Sequence, residues 1–422
     1  MSRPPASLRA LAVARGDEPA DILLTGGFVL SPATREWVKT DLAIADGFVA
    51  GWGHREAKEV IDVSGCYLAP GFVDAHMHLE SSKMWVSEYV KAVLPYGTTA
   101  VAADPHEIAN VAGMDGIRAL IDSAEHLPFT FGVAASSCVP ESPFASAGAA
   151  FTVKEVRALI EEHGAIGVAE VMNYPAVING DPMFRDIIAT AGWRRVDGHA
   201  PGLRGPQLDA YLAAGVESDH EVFELDEAHE KRQKGMWVFL RQGSVSQDLV
   251  RLLPTVVSHG TTATSFCTDD REPDLLRDEG HLNHCIRLAV ESGLSVIDAL
   301  CVASYYPAQY HNFFHLGSLG PGYQADVVVF DKLEGFVPSM VLQKGRVVAR
   351  NGKIVDGIVP PTSPPASLYN RINLHHLPTP AELTIEPPAS GMANVIGVWS
   401  GTVRTKALQL NVTDPSIDIA RI

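Results

Sequence analysis

Apolar and polar positions along the chain fall into three successive textures. From "DILLTGGFVL" (21–30) through "DLAIADGFVAGWG" (41–53), short β-rich runs are punctuated by glycine, the pattern of antiparallel strands joined by tight turns. Between about residue 70 and residue 316, short apolar runs alternate with amphipathic stretches, as the βα alternation of a parallel sheet requires. Beyond that, "GSLGPGYQADVVVFDKL" (317–333) and "VLQKGRVVARNGKIVDG" (341–357) return to short strands and glycine turns that can complete the N-terminal β module.

The central region offers eight strand candidates in order: "YLAPGFVDAHMH", "TTAVAADPH", "FTFGVAASS", "AIGVAEV", "RRVDGHA", "GVESDH", "MWVFLRQGS" and "TTATSFCTDD". Eight such units in a row predict an α/β fold closed into a (β/α)8 TIM barrel. Helices fit between them. "TVKEVRALIEEHG" (152–164) opens with Thr152 and Glu155 in capping-box spacing, carries an i, i+3/i+4 apolar stripe and stops at Gly164. The predicted organisation is a β module over 1–69, a barrel over 70–316, a second part of the β module over 317–358 and a Pro-rich linker over 359–392.

Composition narrows the function classes. The 422 residues are 46% hydrophobic and 20% charged, enough for a large core and more than one structural unit. A net charge of −17 repels phosphate backbones and anionic lipid, so neither nucleic acid nor membrane is an expected partner. The five cysteines are scattered and without CxxC spacing, which argues against a disulfide framework or a structural zinc module and makes the cytoplasm the expected compartment. Gly, Pro or charges break every apolar stretch before membrane-spanning length, and the N-terminus has no signal-type apolar core.

Chemistry concentrates at the strand ends, where barrels of this kind place their active sites. The first strand ends in His76 and His78, the fourth in Glu170, the fifth in His199, the sixth in His220, and the eighth in Asp269 followed by Asp270. Strand alternation sends His76 and His78 to one face, where both can grip one metal ion. The remaining ligands suit a second ion with a carboxylate between the two. Two-metal hydrolytic sites hold their ions about 3.5–4 Å apart and share an activated water. Each residue also has a plain structural reading: Glu170 as a solvated helix-start residue, His199 as a loop histidine, His220 as a hydrogen-bonded core histidine. Recurrence at five strand ends favours ligation. His106 and Glu107 in "DPHEIANV" are weaker candidates, since both can simply bond neighbouring backbone.

At these residues the chain resembles the amidohydrolase superfamily and, more closely, the adenine deaminase family. The likenesses are "PGFVDAHMHLESS", "GTTAVAADPHEIANVAG", "GVAEVMNYPAVINGDP", "DGHAPGL", "SDHE" and "CTDDREPDLLRDEGHL", in order across about residues 21 to 357. The resemblance implies a distorted (β/α)8 barrel, a small β-sandwich built from both chain ends, and two divalent metal ions, Mn(II) or Fe(II), with Zn(II) also compatible. Carried over by position, His76, His78 and Asp269 hold one ion, Glu170 bridges, and His199 and His220 hold the other. Many superfamily members bridge with a carboxylated lysine, where "GVAEVMN" here offers glutamate. Adenine deaminases continue into a further C-terminal domain, and 393–422 is expected to be its beginning.

The implied reaction is hydrolytic deamination of adenine, a small purine substrate, to hypoxanthine and ammonia by a homo-oligomeric enzyme. Asp269 is expected to take a proton from the water and pass it on, Glu170 to stay ionised, and Glu221, His106 or Asp270 to protonate the purine ring. The HxE and PCxxC signature of the zinc base deaminases is absent from the sequence. The rival readings are an amidohydrolase that opens a cyclic amide, of hydantoinase or dihydroorotase type, and a non-catalytic barrel. Ammonia release separates the first, and absence of bound transition metal would favour the second.

Overall fold

The computed structural model of the chain describes residues 5–142, 144–371, 376–399 and 403–416. All eight barrel strands are present: Phe72–Met77, Thr98–Ala103, Thr130–Val133, Gly167–Val171, Arg195–Gly198, Ser218–Asp219, Trp237–Arg241 and Thr264–Cys267. Most of their residues are buried on both faces, as continuous Val/Ala/Phe runs between helices and barrel interior should be. The sixth is only two residues long.

Parallel pairing runs from the first strand to the third, from the fourth to the fifth, and from the sixth to the eighth. A bridge between Ala135 and Val168 joins the first two groups. Glu217 N–H donates to Val196 O at 3.0 Å across the fifth and sixth strands. A bridge between Met77 and Asp269 closes the ring. The barrel is therefore closed but unevenly laddered, the distortion expected above. Of the predicted helices, the one at Val153–Glu161 forms as its local chemistry dictates: the Thr152 and Glu155 capping box is made at both ends.

The β module is one nine-stranded sheet drawn from both chain ends, with strands Ala20–Ser31, Glu36–Ala45, Phe48–Trp52, Ala57–Asp62 and Tyr67–Pro70 joined by Val327–Phe330, Met340–Gln343, Arg346–Arg350 and Lys353–Ile354. Its two ends curl together: Phe48 bridges Gln324, and Ile44 and Val49 share a core with Met340 and Leu342. A helix not anticipated from the sequence, Leu8–Arg15, lays Ala10 and Val13 on the Ala20, Leu23 and Ala43 positions of this sheet.

Two expectations change. The run 67–78, read as one strand, is two: Tyr67–Pro70 pairs with the β module and Phe72–Met77 enters the barrel, with Gly71 between them. The region 359–392, read as linker, is anchored at its start, where Val359 is buried in the core beside Val90 and Leu94 and Thr362 N–H bonds Ser87 Oγ at 3.1 Å. Residues 372–375 of that region lie outside the described residues, as do 400–402 and 417–422 of the segment expected to begin a further domain. What is described of that segment is a two-stranded hairpin, Met392–Val398 with Thr405–Asn411.

Gly71 is where the chain turns from module to barrel, and there is no room for a side chain. A Cβ at this position would lie 2.1 Å from Thr99 Oγ1, 2.9 Å from Thr99 Cγ2 and 3.0 Å from Asp326 Cβ. Rotating Thr99 exchanges one clash for another. Gly71→Ala should cost about 1–3 kcal/mol through overpacking, read as a lower urea midpoint at unchanged slope. Adding Thr99→Ala should recover most of the loss. An unchanged midpoint in the single variant would show that the hinge accepts a side chain.

Candidate metal centre

The geometry of the centre begins with the backbone. Asp269 sits in the left-handed region at φ +56°, a conformation aspartate tolerates better than most residues. In it, Asp269 N–H donates to His76 O and His78 N–H donates to Asp269 O, both at 3.0 Å. One residue back, the Asp74 carboxylate accepts from Thr268 N–H at 3.1 Å and Thr268 Oγ1 at 2.6 Å. The tips of the first and eighth strands are thus stitched together by main chain and side chain alike.

This stitch fixes three donor groups around one point. His76 Nε2 and His78 Nε2 lie 3.1 Å apart, and Asp269 Oδ1 is 3.4 Å from the first and 3.2 Å from the second. His78 Nδ1 donates to Asp104 O at 2.8 Å, which leaves Nε2 with its lone pair facing the others. Two donors bound to one ion at about 2.1 Å stand about 3.0–3.4 Å apart in octahedral or tetrahedral geometry. The observed spacings fit that window, and the donor set of imidazole with carboxylate suits a divalent first-row metal.

Glu170, buried on the fourth strand, spans this group and a second one. Its Oε1 is 3.4 Å from His78 Nε2, and its Oε2 is 2.6 Å from His199 Nδ1 and 3.2 Å from His220 Nε2. The tips carrying those two histidines are fastened by a buried lysine. Lys231 Nζ donates to Ala200 O at 2.8 Å and to Asp219 Oδ2 at 2.6 Å, and also pairs with Glu227. Asp219 Oδ1 in turn accepts from Ala200 N–H and Glu221 N–H.

Electrostatics keeps the carboxylates charged. Burial alone would raise the pKa of Glu170, but His199 and His220 beside it hold it well below the ordinary range. For Asp269 burial also works upward and is overcome by the hydrogen bonds to His76 and His78, then by His220 and Arg241. His220 is pushed down, first by burial and then by neighbouring His76, so its imidazole stays neutral. His199 goes the other way: burial lowers it, but Glu170 lifts it to about 9.

Every residue singled out from the sequence lies at this one mouth. His76, His78 and Asp269 form one candidate metal-holding group, His76, Glu170 and His220 a second, and His199, His220 and Glu221 a third. His106 joins through Nδ1, 3.4 Å from Glu170 Oε1 and 3.2 Å from Asp104 Oδ2, while Glu107 and Asp270 gather on the Nδ1 side of His78. Two residues not singled out prove central. Arg241, fully buried at the end of the seventh strand, pairs with both oxygens of Glu221, with Asp269 Oδ2 at 2.8 Å and with Asp248 Oδ2 at 3.1 Å. Asp104 receives both His106 and Ser136. The available signal was a charge at the C-terminal end of an apolar strand, "WVFLR" and "AVAAD", the same signal that marks Asp269.

A cavity of about 340 Å³ opens beside the centre, lined by His199, Pro201, Gly202, Glu221 and Phe223 with Val403, Arg404 and Thr405. A larger one, about 830 Å³, lies at the opposite end of the strands against Phe48, Thr130, Ile166 and Lys344, away from all of these groups.

Comparison with known proteins agrees with this architecture. The amidohydrolase family profile matches residues 67–360. An adenine deaminase of Carboxydothermus hydrogenoformans is 39% identical over 95% of this chain and 70% of its own length. One from Methanothrix thermoacetophila is 38% identical over 94% of this chain and 69% of its own. Among solved structures, N-isopropylammelide isopropylaminohydrolase from Burkholderia multivorans superposes with a TM-score of 0.58 at 18% identity, over 80% of this chain and all of that one. The β-aspartyl dipeptidase of Fervidobacterium islandicum gives 0.58 at 16% identity, over 79% of this chain and 98% of that one. At those identities the two structures speak for the fold.

The Lys231 cluster yields a test of how the fifth and sixth tips are held. Lys231→Met would leave Asp219 and Glu227 buried without a counter-charge and should cost about 3–5 kcal/mol in urea unfolding. Neutralising both partners in the same chain, with Asp219→Asn and Glu227→Gln, should return a large part. A single-variant loss below about 1 kcal/mol would mean that the tips are held by packing and not by this ion cluster.

Proposed function

The chain belongs to the amidohydrolase family, and within it to the adenine deaminases; from that premise we propose that it hydrolyses adenine to hypoxanthine and ammonia. The observation that carries the proposal is the convergence of four imidazoles and two ionised carboxylates from five strand tips on one buried locus. Divalent metal use follows from the family and from that donor set. The finer assignment is two ions, Mn(II) or Fe(II), with Zn(II) the remaining candidate: His76, His78 and Asp269 for one, His199 and His220 for the other, and Glu170 between them. When bound, the ions supply Lewis acidity that brings the pKa of a water toward neutrality.

The chain's own groups then divide the proton work. Asp269 Oδ1 lies among the imidazoles while Oδ2 is held by Arg241, so the carboxylate is aimed at the centre, where it accepts the water proton. A C6–O bond forms as N1 takes a proton, the C6–N bond breaks, the proton taken by Asp269 leaves with ammonia, and the remaining proton of the added hydroxyl restores the acid that protonated N1. Glu170 stays ionised throughout. Of the three acids considered for the purine ring, Glu221 is bound at both oxygens by Arg241, which suits a carboxylate that accepts an N–H from the purine and not a proton donor. Asp270, raised by burial and by adjacent Asp269, and His106, held at about 10 by Asp104 against the pull of burial, are left to protonate N1.

The net charge of −17 supports the absence of a nucleic-acid or anionic-membrane partner, and the scattered cysteines without CxxC spacing support a cytoplasmic location; among the described residues no helix is long and apolar enough to cross a membrane. Ile396, Val398 and Trp399, each more than half exposed on the C-terminal hairpin, support self-association as a homo-oligomer.

Purified protein supplied with Mn(II) should release ammonia from adenine in step with hypoxanthine and should leave dihydropyrimidines and hydantoins closed. Ring opening without ammonia would replace the proposal with the cyclic-amide reading. Glu170→Gln should lower bound metal and nearly abolish turnover. Asp269→Asn should hold closer to the full metal content yet lose about 10²–10⁴ in kcat. Wild-type rates in both variants would defeat the assignment.

A further inference from the structure

The cavity beside the metal centre has two walls of different origin. The inner wall is barrel: His199, Pro201, Gly202, Glu221 and Phe223. The outer wall is Val403, Arg404 and Thr405, from the C-terminal hairpin 180 or more positions along the chain, where the second hairpin strand begins. At about 340 Å³ the space between the two walls falls at the lower end of small-ligand sites, about 300–1,000 Å³.

Arg404 holds this second-strand start in place. Its guanidinium lies over the Phe223 ring at 5.1 Å, and its NH1 donates to Glu224 Oε1 at 2.9 Å. Phe223 and Glu224 belong to the same loop as His220 and Glu221, so the clasp attaches the hairpin to the segment that carries the chemistry. We infer that the segment 403–405 is the outer wall of the substrate pocket and that Arg404 is a positioning residue, which fixes that wall beside a planar heterocyclic substrate without touching the reacting atoms. The inference rests on the deaminase reading for the identity of that substrate, but not for the existence of the wall.

The Arg404 and Glu224 side chains are each more than half exposed, so their attraction is weak and is screened by salt. Substrate binding that depends on the clasp inherits that sensitivity. Lysine can replace the charge but not the planar stack over Phe223.

The test is Arg404→Ala and Arg404→Lys in the full chain loaded with Mn(II). Arg404→Ala should raise KM for adenine roughly five- to tenfold, with kcat moved far less and metal content unchanged, and Arg404→Lys should fall between it and wild type. Between about 0.05 and about 0.5 M NaCl, the wild-type KM should climb toward the Arg404→Ala value, which itself should stay nearly flat. Hydrogen exchange over residues 199–203 and 221–224 reads the wall without any substrate and should quicken in Arg404→Ala. Unchanged KM together with unchanged exchange overturns the inference. Faster exchange in a protein that releases no ammonia from adenine overturns the deaminase reading and leaves the wall standing.

Discussion

Two backbone hydrogen bonds, from Asp269 N–H to His76 O and from His78 N–H to Asp269 O, close the barrel and at the same stroke set the donor geometry of the centre. Their cost is a non-glycine residue in the left-handed region, Asp269 at φ +56°. Closure and the placing of these candidate donors are therefore one constraint.

The second requirement is charge balance. Glu170, Glu221, Asp248 and Asp269 are all buried within a few ångströms of the locus, and unpaired buried carboxylates would protonate instead of serving as anionic ligands. Arg241 answers three of them at once, since its fixed fork of donors reaches Glu221, Asp248 and Asp269 in different directions. Lys231 does the same for Asp219 and Glu227 behind the histidine tips. The two cations are bound in separate cages of acid. This arrangement keeps Oδ1 of Asp269 directed toward the imidazoles and ties Glu221 down as an acceptor.

Much of this was legible in the sequence because it is local. The capping box at Thr152 and Glu155 needs only three residues of spacing, and the ligand chemistry stands at strand ends where period-2 alternation fixes the facing side. What was hidden depends on distant partners. The break at Gly71 lies inside a run that is apolar on both sides, and the need for glycine there comes from Thr99 and Asp326. Lys231, in "LDEAHEKRQ", reads as one charge among many on a solvated helix, yet it is fully buried because Asp219 waits beneath it. Arg241 looks like the polar end of an apolar strand until three carboxylates from other segments are seen around it. Residues 403–405 at the mouth of the cavity had no signal in the chain at all, since nothing in "TVRTKALQL" announces Phe223 as the neighbour of Arg404.

The central claim is that five strand tips bring their nitrogens and oxygens around two cations that share Glu170. Anomalous X-ray diffraction from crystals of the Mn(II)-loaded protein tests it most directly. The account predicts two peaks about 3.5–4 Å apart, one among His76, His78 and Asp269 and one beside His199 and His220, with a Glu170 oxygen toward each. A single peak, or two peaks lying apart from Glu170, would contradict it.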